Sequence, residues 1–290
     1  MKNYFFIILA IAALLVGLVI SGSFKKGKEL FDLTERKVVV PSSVESKEGA
    51  RSNGAESVAA RSRSAEYLLR FEDVKNRALQ GDSAAQLELS RIYDRCFPVN
   101  ISREKYLSSV DAMAAQAGGA AAAMKATAKR IADDCTLIEG GSPIPLDAQK
   151  EWLMASAASG NLAAKIRIQV RYPGEAKESV SNLLTAAVGK KDPEAIFELS
   201  DLLVTQSSDA NLGPFEAVAG DETSAYAWGI VACQMGADCG AGSAVVDGYC
   251  LSGACASNYE QLVRNNLLPK GEGEKLNKKI DYIRSMIERK

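Results

Sequence analysis

A glycine followed by the start of a helix recurs along this chain and restricts its fold more than any other feature. The clearest copy is Gly81-Asp82-Ser83, where one apolar helical pattern ends and the next, carrying Leu87 and Ile92, begins. Weaker copies lie at spacings of 37, 42, 29 and 31 residues, at Gly118, Gly160, Gly189 and Gly220. Such a period is typical of stacked helix pairs, because a single pair cannot bury its own apolar face. The sequence therefore predicts an all-α fold, an α-solenoid.

The composition excludes several classes of function. The chain has 35 basic and 36 acidic residues, whereas a nucleic-acid-binding protein normally has a strong basic excess. It has no histidine, which excludes Ser-His-Asp and Cys-His catalysis and His-ligated zinc. No phosphate-binding loop, nucleotide-binding glycine pattern or nucleophile elbow occurs. We therefore predict no nucleic-acid partner, no cofactor, no metal ligand and no catalytic residue, which means that the protein is not an enzyme.

The N-terminal segment predicts contact with a membrane. Residues 4–20 are an uninterrupted apolar run with one glycine, about 25 Å long as a helix against a hydrocarbon core of about 30 Å. One interpretation is a transmembrane signal anchor in a domain of residues 1–24, and the other is a signal peptide cleaved after Ser21. The anchor is preferred, because the run exceeds the roughly 7–15 apolar residues usual in a signal peptide.

Two signals disagree about the side of the membrane on which the body of the protein lies. Lys25, Lys26 and Lys28 follow the apolar run, and basic residues favour the cytoplasmic side. The even number of cysteines, six, favours an oxidising compartment instead. We predict a single-pass inner-membrane protein with a periplasmic body. The alternatives are secretion after cleavage and a body that faces the cytoplasm.

Beyond the anchor, the chain divides into a linker and a helical body. Residues 25–64 are mostly polar and keep no helical or strand period, which predicts a disordered linker. Residues 65–290 are predicted as a helical repeat domain that ends in a capping helix with an apolar stripe at Leu276, Ile280, Ile283 and Ile287. Its first helix is predicted from an apolar face that runs from Tyr67 to Ala78. The further predicted helices are Ala84–Tyr93, Tyr106–Ala117, Ala120–Ala132, Leu146–Ser159, Leu162–Arg171, Ala176–Val188, Pro193–Val204 and Ser224–Gln234.

All six cysteines are predicted to form disulfides. Cys96 and Cys135 each lie near the end of a helix that follows a repeat glycine, so stacking should place them side by side. The other four, Cys233, Cys239, Cys250 and Cys255, allow three pairings. Local pairing needs the least movement of the chain, but the two crossed pairings stay open. A four-thiolate zinc site is a further alternative, although its ligand pairs are usually two to four residues apart.

Other conspicuous side chains are predicted to be structural. The aromatic residues that lie on apolar helical faces are predicted to belong to the core rather than to bind a ligand: Trp152, Phe197, Tyr226 and Trp228. The carboxylates Asp133, Asp134, Glu35 and Glu45 have no partner at catalytic spacing and are predicted to be solvated.

Residues 81–93, Gly-Asp-Ser-Ala-Ala-Gln-Leu-Glu-Leu-Ser-Arg-Ile-Tyr, resemble the first helix of a Sel-one-like repeat, a relative of the tetratricopeptide repeat. Residues 160–164 and 192–199 resemble the same element. The family's glycine after leucine is replaced here by Ser90 and Ser200. The resemblance implies a scaffold that binds one or more unidentified protein partners in a bacterial envelope. The alternatives are a secreted soluble protein and an envelope hydrolase that uses two carboxylates on its concave face.

Overall fold

The structure is a computed structural model of the chain and describes residues 54–204 and 212–289, with side chains from residue 63 onward. The predicted anchor at residues 1–24, with its apolar run at 4–20, and residues 25–53 of the predicted linker lie outside the described residues. Among the helices in these described ranges, none is long and apolar enough to cross a membrane.

The all-α prediction is confirmed. The described part of the chain contains twelve α-helices and no strand, with one isolated bridge between Gly240 and Asn258. The helices are α1 Gly54–Leu79, α2 Ser83–Ile101, α3 Arg103–Ala114, α4 Ala121–Cys135, α5 Ala148–Ala158, α6 Leu162–Arg171, α7 Val180–Lys190, α8 Pro193–Val204, α9 Glu222–Gln234, α10 Ala244–Leu251, α11 Tyr259–Leu262 and α12 Gly273–Glu288. Short 3₁₀ or π turns lie at Gly118–Ala120, Ile138–Gly141, Pro173–Glu175, Gly213–Val218 and Val263–Leu267.

Four of the five predicted repeat starts are capped helix N-termini, whereas the one at Gly118 leads into a short 3₁₀ turn and then into α4, neither of which has a side-chain cap. Four side chains accept hydrogen bonds from backbone amides in the first turn of the following helix: Asp82, Asn161, Asp192 and Asp221. The third residue after each cap is small and fully buried: Ala85, Ala164, Ala195 and Ser224. Neighbouring helices can therefore approach closely at each start.

The turn before three of these helices depends on a glycine with positive φ, as at Gly81 (+90°) and Gly160 (+91°). The copy predicted at Gly189 differs, because Gly189 lies inside α7 and Lys191 has the left-handed conformation instead, with φ +53°.

The largest departures from the predicted helix limits are in α1 and α2, while the limits of α3, α4, α5, α7 and α9 differ by at most four residues. Helix α1 begins at Gly54, inside the range 25–64 that was predicted to be linker. Helix α2, predicted over Ala84–Tyr93, continues to Ile101 with Pro98 inside it. Burial of Cys96 and Val99 stabilises this last turn. The side chain of Asn100 adds two hydrogen bonds, because it donates to the backbone oxygen of Ser142 and accepts from the backbone N–H of Ile144.

The helices pack mostly on near neighbours in the chain. Helix α1 packs on α2, α2 on α5, α6 on α8, α8 on α9 and α9 on α12, while α3 and α4 pair with each other. Leu87 and Leu89, both on α2, belong to two different apolar cores, which α2 therefore joins. The four stripe residues of α12 are at most 6% exposed, so this helix packs on its own chain.

One contact joins distant parts of the chain, because α10 packs on α4. In a simple solenoid each repeat contacts only its neighbours, and residues 244–251 would not meet residues 121–135. This closing contact brings charged side chains of α2, α4 and α10 together.

Candidate functional site

The six cysteines form three disulfides. The predicted Cys96–Cys135 bond is confirmed and joins α2 to α4, with 5.2 Å between the Cα atoms. The last four cysteines take the local pairing, Cys233–Cys239 and Cys250–Cys255. The four-thiolate zinc alternative is wrong for this arrangement, because sulfur atoms bonded to each other are not thiolate ligands.

Charged side chains from α2, α4, α6, α8 and α10 form two ion-pair clusters that share helix α2, and together we call them the charged face. Its positive members are Arg91, Arg95, Arg130, Arg167 and Arg171, and its negative members are Asp94, Glu194, Glu198 and Asp247. On α2, Arg91 lies three residues before Asp94 and four before Arg95, and the two members on α6 and on α8 are four residues apart, so each of these pairs lies on one side of its helix.

Glu198 is the centre of the first half of the charged face. It is 4% exposed and accepts hydrogen bonds from Arg91 at 2.7 Å and Arg167 at 3.1 Å. Arg91 also donates to Glu194 at 2.6 Å. Arg167 pairs with Asp94 at 3.3 Å. These pairs connect α2, α6 and α8.

Asp247 is the centre of the second half. It is 4% exposed and accepts hydrogen bonds from Arg95 at 2.6 Å and from Arg130. Arg95 also reaches the backbone oxygen of Gly242. Because Arg95, Arg130 and Asp247 lie on α2, α4 and α10, these bonds hold α10 against α2 and α4.

Glu198 and Arg91 are held in their charged forms rather than poised for proton transfer. Burial alone would raise the pKa of the Glu198 carboxyl, but Arg167 and Arg91 hold that pKa below its usual range. Burial likewise opposes the charge of Arg91, yet Glu198 and Glu194 raise its pKa. A general acid needs a carboxyl whose pKa is raised. Glu194 and Glu198 converge on Arg91, but the environment of Glu198 is the opposite of that of a general acid.

The prediction that Asp134 is solvated is wrong. Asp134 is 5% exposed, and its Oδ1 makes no hydrogen bond in the described structure, although Arg63 Nε lies 3.7 Å away. Burial raises its pKa, against the opposing charges of Arg63, Arg95 and Arg130. The signal in the sequence was its position three residues after Ile131, on the buried side of α4. Asp133 pairs with Arg103 and Lys129, and Glu35 and Glu45 lie outside the described residues.

The four aromatic residues divide into two groups. Trp228 is fully buried and donates from Nε1 to the oxygen of Val218, so its predicted place in the core is confirmed. Trp152, Phe197 and Tyr226 are half-buried and pack against the edges of the two cores.

The other surface features offer no catalytic arrangement. A groove of 520 Å³ beside α12 is lined by three lysines, but each of them pairs with a carboxylate. Within the described ranges, no group of three or more acidic or cysteine side chains could hold a metal ion. Sequence reasoning missed the charged face, whose only signal was pairs of like charges four residues apart on largely apolar helices, such as Arg91 with Arg95 and Glu194 with Glu198.

Comparison of the chain with protein-family models, curated proteins and solved structures finds no match in any of the three. The likeness of residues 81–93 to a Sel-one-like repeat is therefore an argument for a proposal only.

Proposed function

We propose that this chain is a membrane-anchored scaffold of the bacterial envelope, with a periplasmic helical-repeat body that binds protein partners. The observation that carries the proposal is the charged face, which five helices from distant parts of the chain build together. Its outer members Asp94, Arg171 and Glu194 have side chains that are 37%, 38% and 41% exposed. A partner can therefore reach these three side chains. The buried carboxylates of Glu198 and Asp247 fix the positions of the arginines that pair with them.

The chemistry of this face suits protein recognition. Arginine is enriched at protein interfaces, and its planar donor group binds carboxylates in a fixed geometry. Stacked helix pairs present extended surfaces of this kind. The three disulfides support the oxidising compartment in the proposal, and the apolar run at residues 4–20 supports the anchor.

Cross-linking in cells tests the scaffold. The full chain should capture specific partners, and a protein that carries only residues 1–64 should capture none. The Glu194→Arg variant should lose partners that the Glu274→Arg variant keeps, because Glu274 is exposed on α12, away from the charged face. Equal capture by the full chain and residues 1–64 would end the proposal.

Trapping with an alkylating agent before lysis tests the compartment. In an exported protein all six cysteines should be protected until a reductant is added. Labelling of all six without reduction would place the body in the cytoplasm. The intact mass of the same sample distinguishes the anchored form from a secreted form cleaved after Ser21.

A further inference from the structure

The first half of helix α1 is attached to the body more weakly than the second half. Phe71, Val74 and Ala78, in the second half, are at most 2% exposed and belong to an apolar core. Among the described side chains of residues 63–70, by contrast, none is buried. Segments with few buried apolar contacts open at a lower cost in free energy than the core does. Helix α1 can therefore open in its first half while its second half stays packed.

One ion pair joins this first half to the rest of the body. Arg63 Nε lies 3.7 Å from Asp134 Oδ1 on α4, and it makes the only ion pair of the described side chains from residue 63 to residue 69. A distance of 3.7 Å is too long for a hydrogen bond. In the second half of α1, Lys75 and Glu139 are only 2.6 Å apart. The contact with Asp134 is thus the polar link on which the first half depends.

The carboxyl of Asp134 lies in an unfavourable environment while α1 covers it. Asp134 is 5% exposed, and no donor in the described part of the chain forms a hydrogen bond to its Oδ1. A buried polar atom without a partner is unfavourable, and a buried charge is more so.

Helix α1 is the neighbour of Asp134 that can move. The disulfide between Cys96 and Cys135 fixes α2 to α4 beside Asp134. The pairs of Asp247 with Arg95 and Arg130 fix α10 to α2 and α4. Water therefore reaches the carboxyl at the lowest cost when the first half of α1 lifts away.

The groups around Asp134 differ from it in how they titrate. They are Arg63 and Tyr67 on α1, Arg95 on α2, Arg103 and Tyr106 on α3, Asp133 and Arg130 on α4, and Asp247 on α10. The arginines stay charged, and burial raises the pKa of both tyrosines, which stay neutral. Burial opposes the charge of Asp133, but Lys129 and Arg103 hold its pKa below the usual range. The pKa of Asp134 is instead raised by burial, against the charges of the nearby arginines.

We propose that the first half of α1, residues 54–70, is a pH-dependent lid over Asp134. The lid is closed while this carboxyl is protonated, and it opens when the carboxyl loses its proton to the solvent and water hydrates the charge. Opening also uncovers Tyr67 and Leu68, which pack against the core around Phe71 when the lid is closed. The lid does not depend on the proposed scaffold, and neither test reads out the other.

Opening should increase as the pH rises. In the open form the carboxyl of Asp134 is hydrated and titrates near its usual pKa, whereas in the closed form its pKa is raised. The closed form is therefore favoured most below the open-form pKa, and it loses stability as pH rises to the closed-form pKa. Over that interval the ratio of open to closed molecules should rise by up to about tenfold per pH unit.

A distance measurement between two spin labels tests the lid in the full chain. Ketone-bearing residues placed at Ala65 on α1 and Ala126 on α4, both exposed, take the labels and leave the three disulfides intact. Double electron–electron resonance is recorded from about pH 4 to about pH 9, which spans the titration of a carboxyl whose pKa is raised. The distance distribution should be narrow in acid and should gain a broad component as pH rises.

Two results of this measurement would overturn the lid. One is a distance distribution that stays the same over the whole pH range. The other is broadening that accompanies a loss of most of the helical circular dichroism, because the body as a whole would then be unfolding.

Matched variants assign the response to one carboxyl. Asp134→Asn should keep the distribution narrow at every pH, because an amide does not ionise. Asp133→Asn changes the next residue, whose carboxylate pairs with Arg103 and Lys129, and should keep the wild-type response. Broadening of Asp134→Asn to the wild-type extent would refute the role of Asp134.

A second variant keeps the test decisive if Asp134→Asn folds poorly. Arg63→Gln removes the cation of α1 that faces the ionised carboxyl. It should enlarge the broad component at high pH and leave the narrow distribution in acid unchanged. An Arg63→Gln variant with the wild-type distribution at every pH would contradict the lid.

Discussion

The Cys96–Cys135 disulfide should stabilise the body more than either of the other two. It joins residues 39 apart in sequence, whereas Cys233–Cys239 joins residues 6 apart. The loss of loop-closure entropy in the unfolded chain corresponds to about 4 kcal/mol for the long loop and about 2.4 kcal/mol for the short one. Replacing Cys96 and Cys135 by alanine should therefore cost about 1.5 kcal/mol more than replacing Cys233 and Cys239.

Packing should widen this difference. Cys96 and Cys135 are both 0% exposed and belong to the apolar core around Phe71, whereas Cys233 is only half-buried. Alanine at the two buried positions removes sulfur atoms that the surrounding core contacts on all sides, and a buried cavity adds to the cost. Because a domain of this size is stable by only about 5–15 kcal/mol in total, the long-loop variant should be visibly weakened.

Urea unfolding followed by circular dichroism measures both variants under non-reducing conditions. The free energy of unfolding in water comes from linear extrapolation, with the slope checked for each variant because removal of a cross-link expands the unfolded chain. Mass spectrometry confirms that the two remaining disulfides are intact. An equal loss of unfolding free energy in both variants, or a larger loss in the variant without Cys233 and Cys239, would refute the claim that the Cys96–Cys135 disulfide stabilises the body more.

Three further expectations test the charged face and the two cores. Asp247→Ala should lower the free energy of unfolding by about 3 kcal/mol, since it leaves two arginines without their anion; Asp281→Ala, at an exposed site, should change it by no more than about 0.5 kcal/mol. Asp134→Asn should raise the urea midpoint at pH 7, and the gain should shrink toward acid pH. The raised pKa means that the Asp134 carboxyl binds its proton more tightly in the folded wild type than in the unfolded chain. The wild type therefore loses stability as pH rises from the unfolded-state pKa of this carboxyl to its folded-state pKa. Deleting residues 271–290 should lower the melting temperature and promote aggregation visible in light scattering, and a truncated protein as stable as the parent would assign α12 another role.

Local features of the fold could be predicted from the sequence. The limits of α6 and α8 coincide with the predicted Leu162–Arg171 and Pro193–Val204, because a capping residue marks one end and a break in apolar spacing marks the other. Asp82, which directly follows the repeat glycine, caps its helix. These features depend on residues a few positions apart, where spacing and capping chemistry decide the structure.

The charged face could not be predicted, because its ion pairs join residues that are far apart in the sequence. Arg95 and Asp247 are 152 residues apart, and no local pattern shows which of many charged residues will meet. The burial of Asp134 has the same cause, since helix α4 contacts α1, α2 and α10 together. The two single-residue surprises, Pro98 inside α2 and Lys191 in the left-handed region, reflect packing that overrides local preference.

The disulfides and the lysines after the apolar run still favour opposite sides of the membrane, and their physical weights differ. The rule for basic residues describes a kinetic bias during insertion and is softest for a lone N-terminal segment. The disulfides instead affect the free energy of unfolding of the body, whichever way the chain was inserted. In a reducing cytosol Cys96 and Cys135 would remain thiols, and the body would lose about 4 kcal/mol of its stability. The charged face adds little that could compensate, because the free energy gained by buried ion pairs is largely offset by the desolvation of their charges. Because the loss of this disulfide would go largely uncompensated, the proposed function places the body outside the cytoplasm.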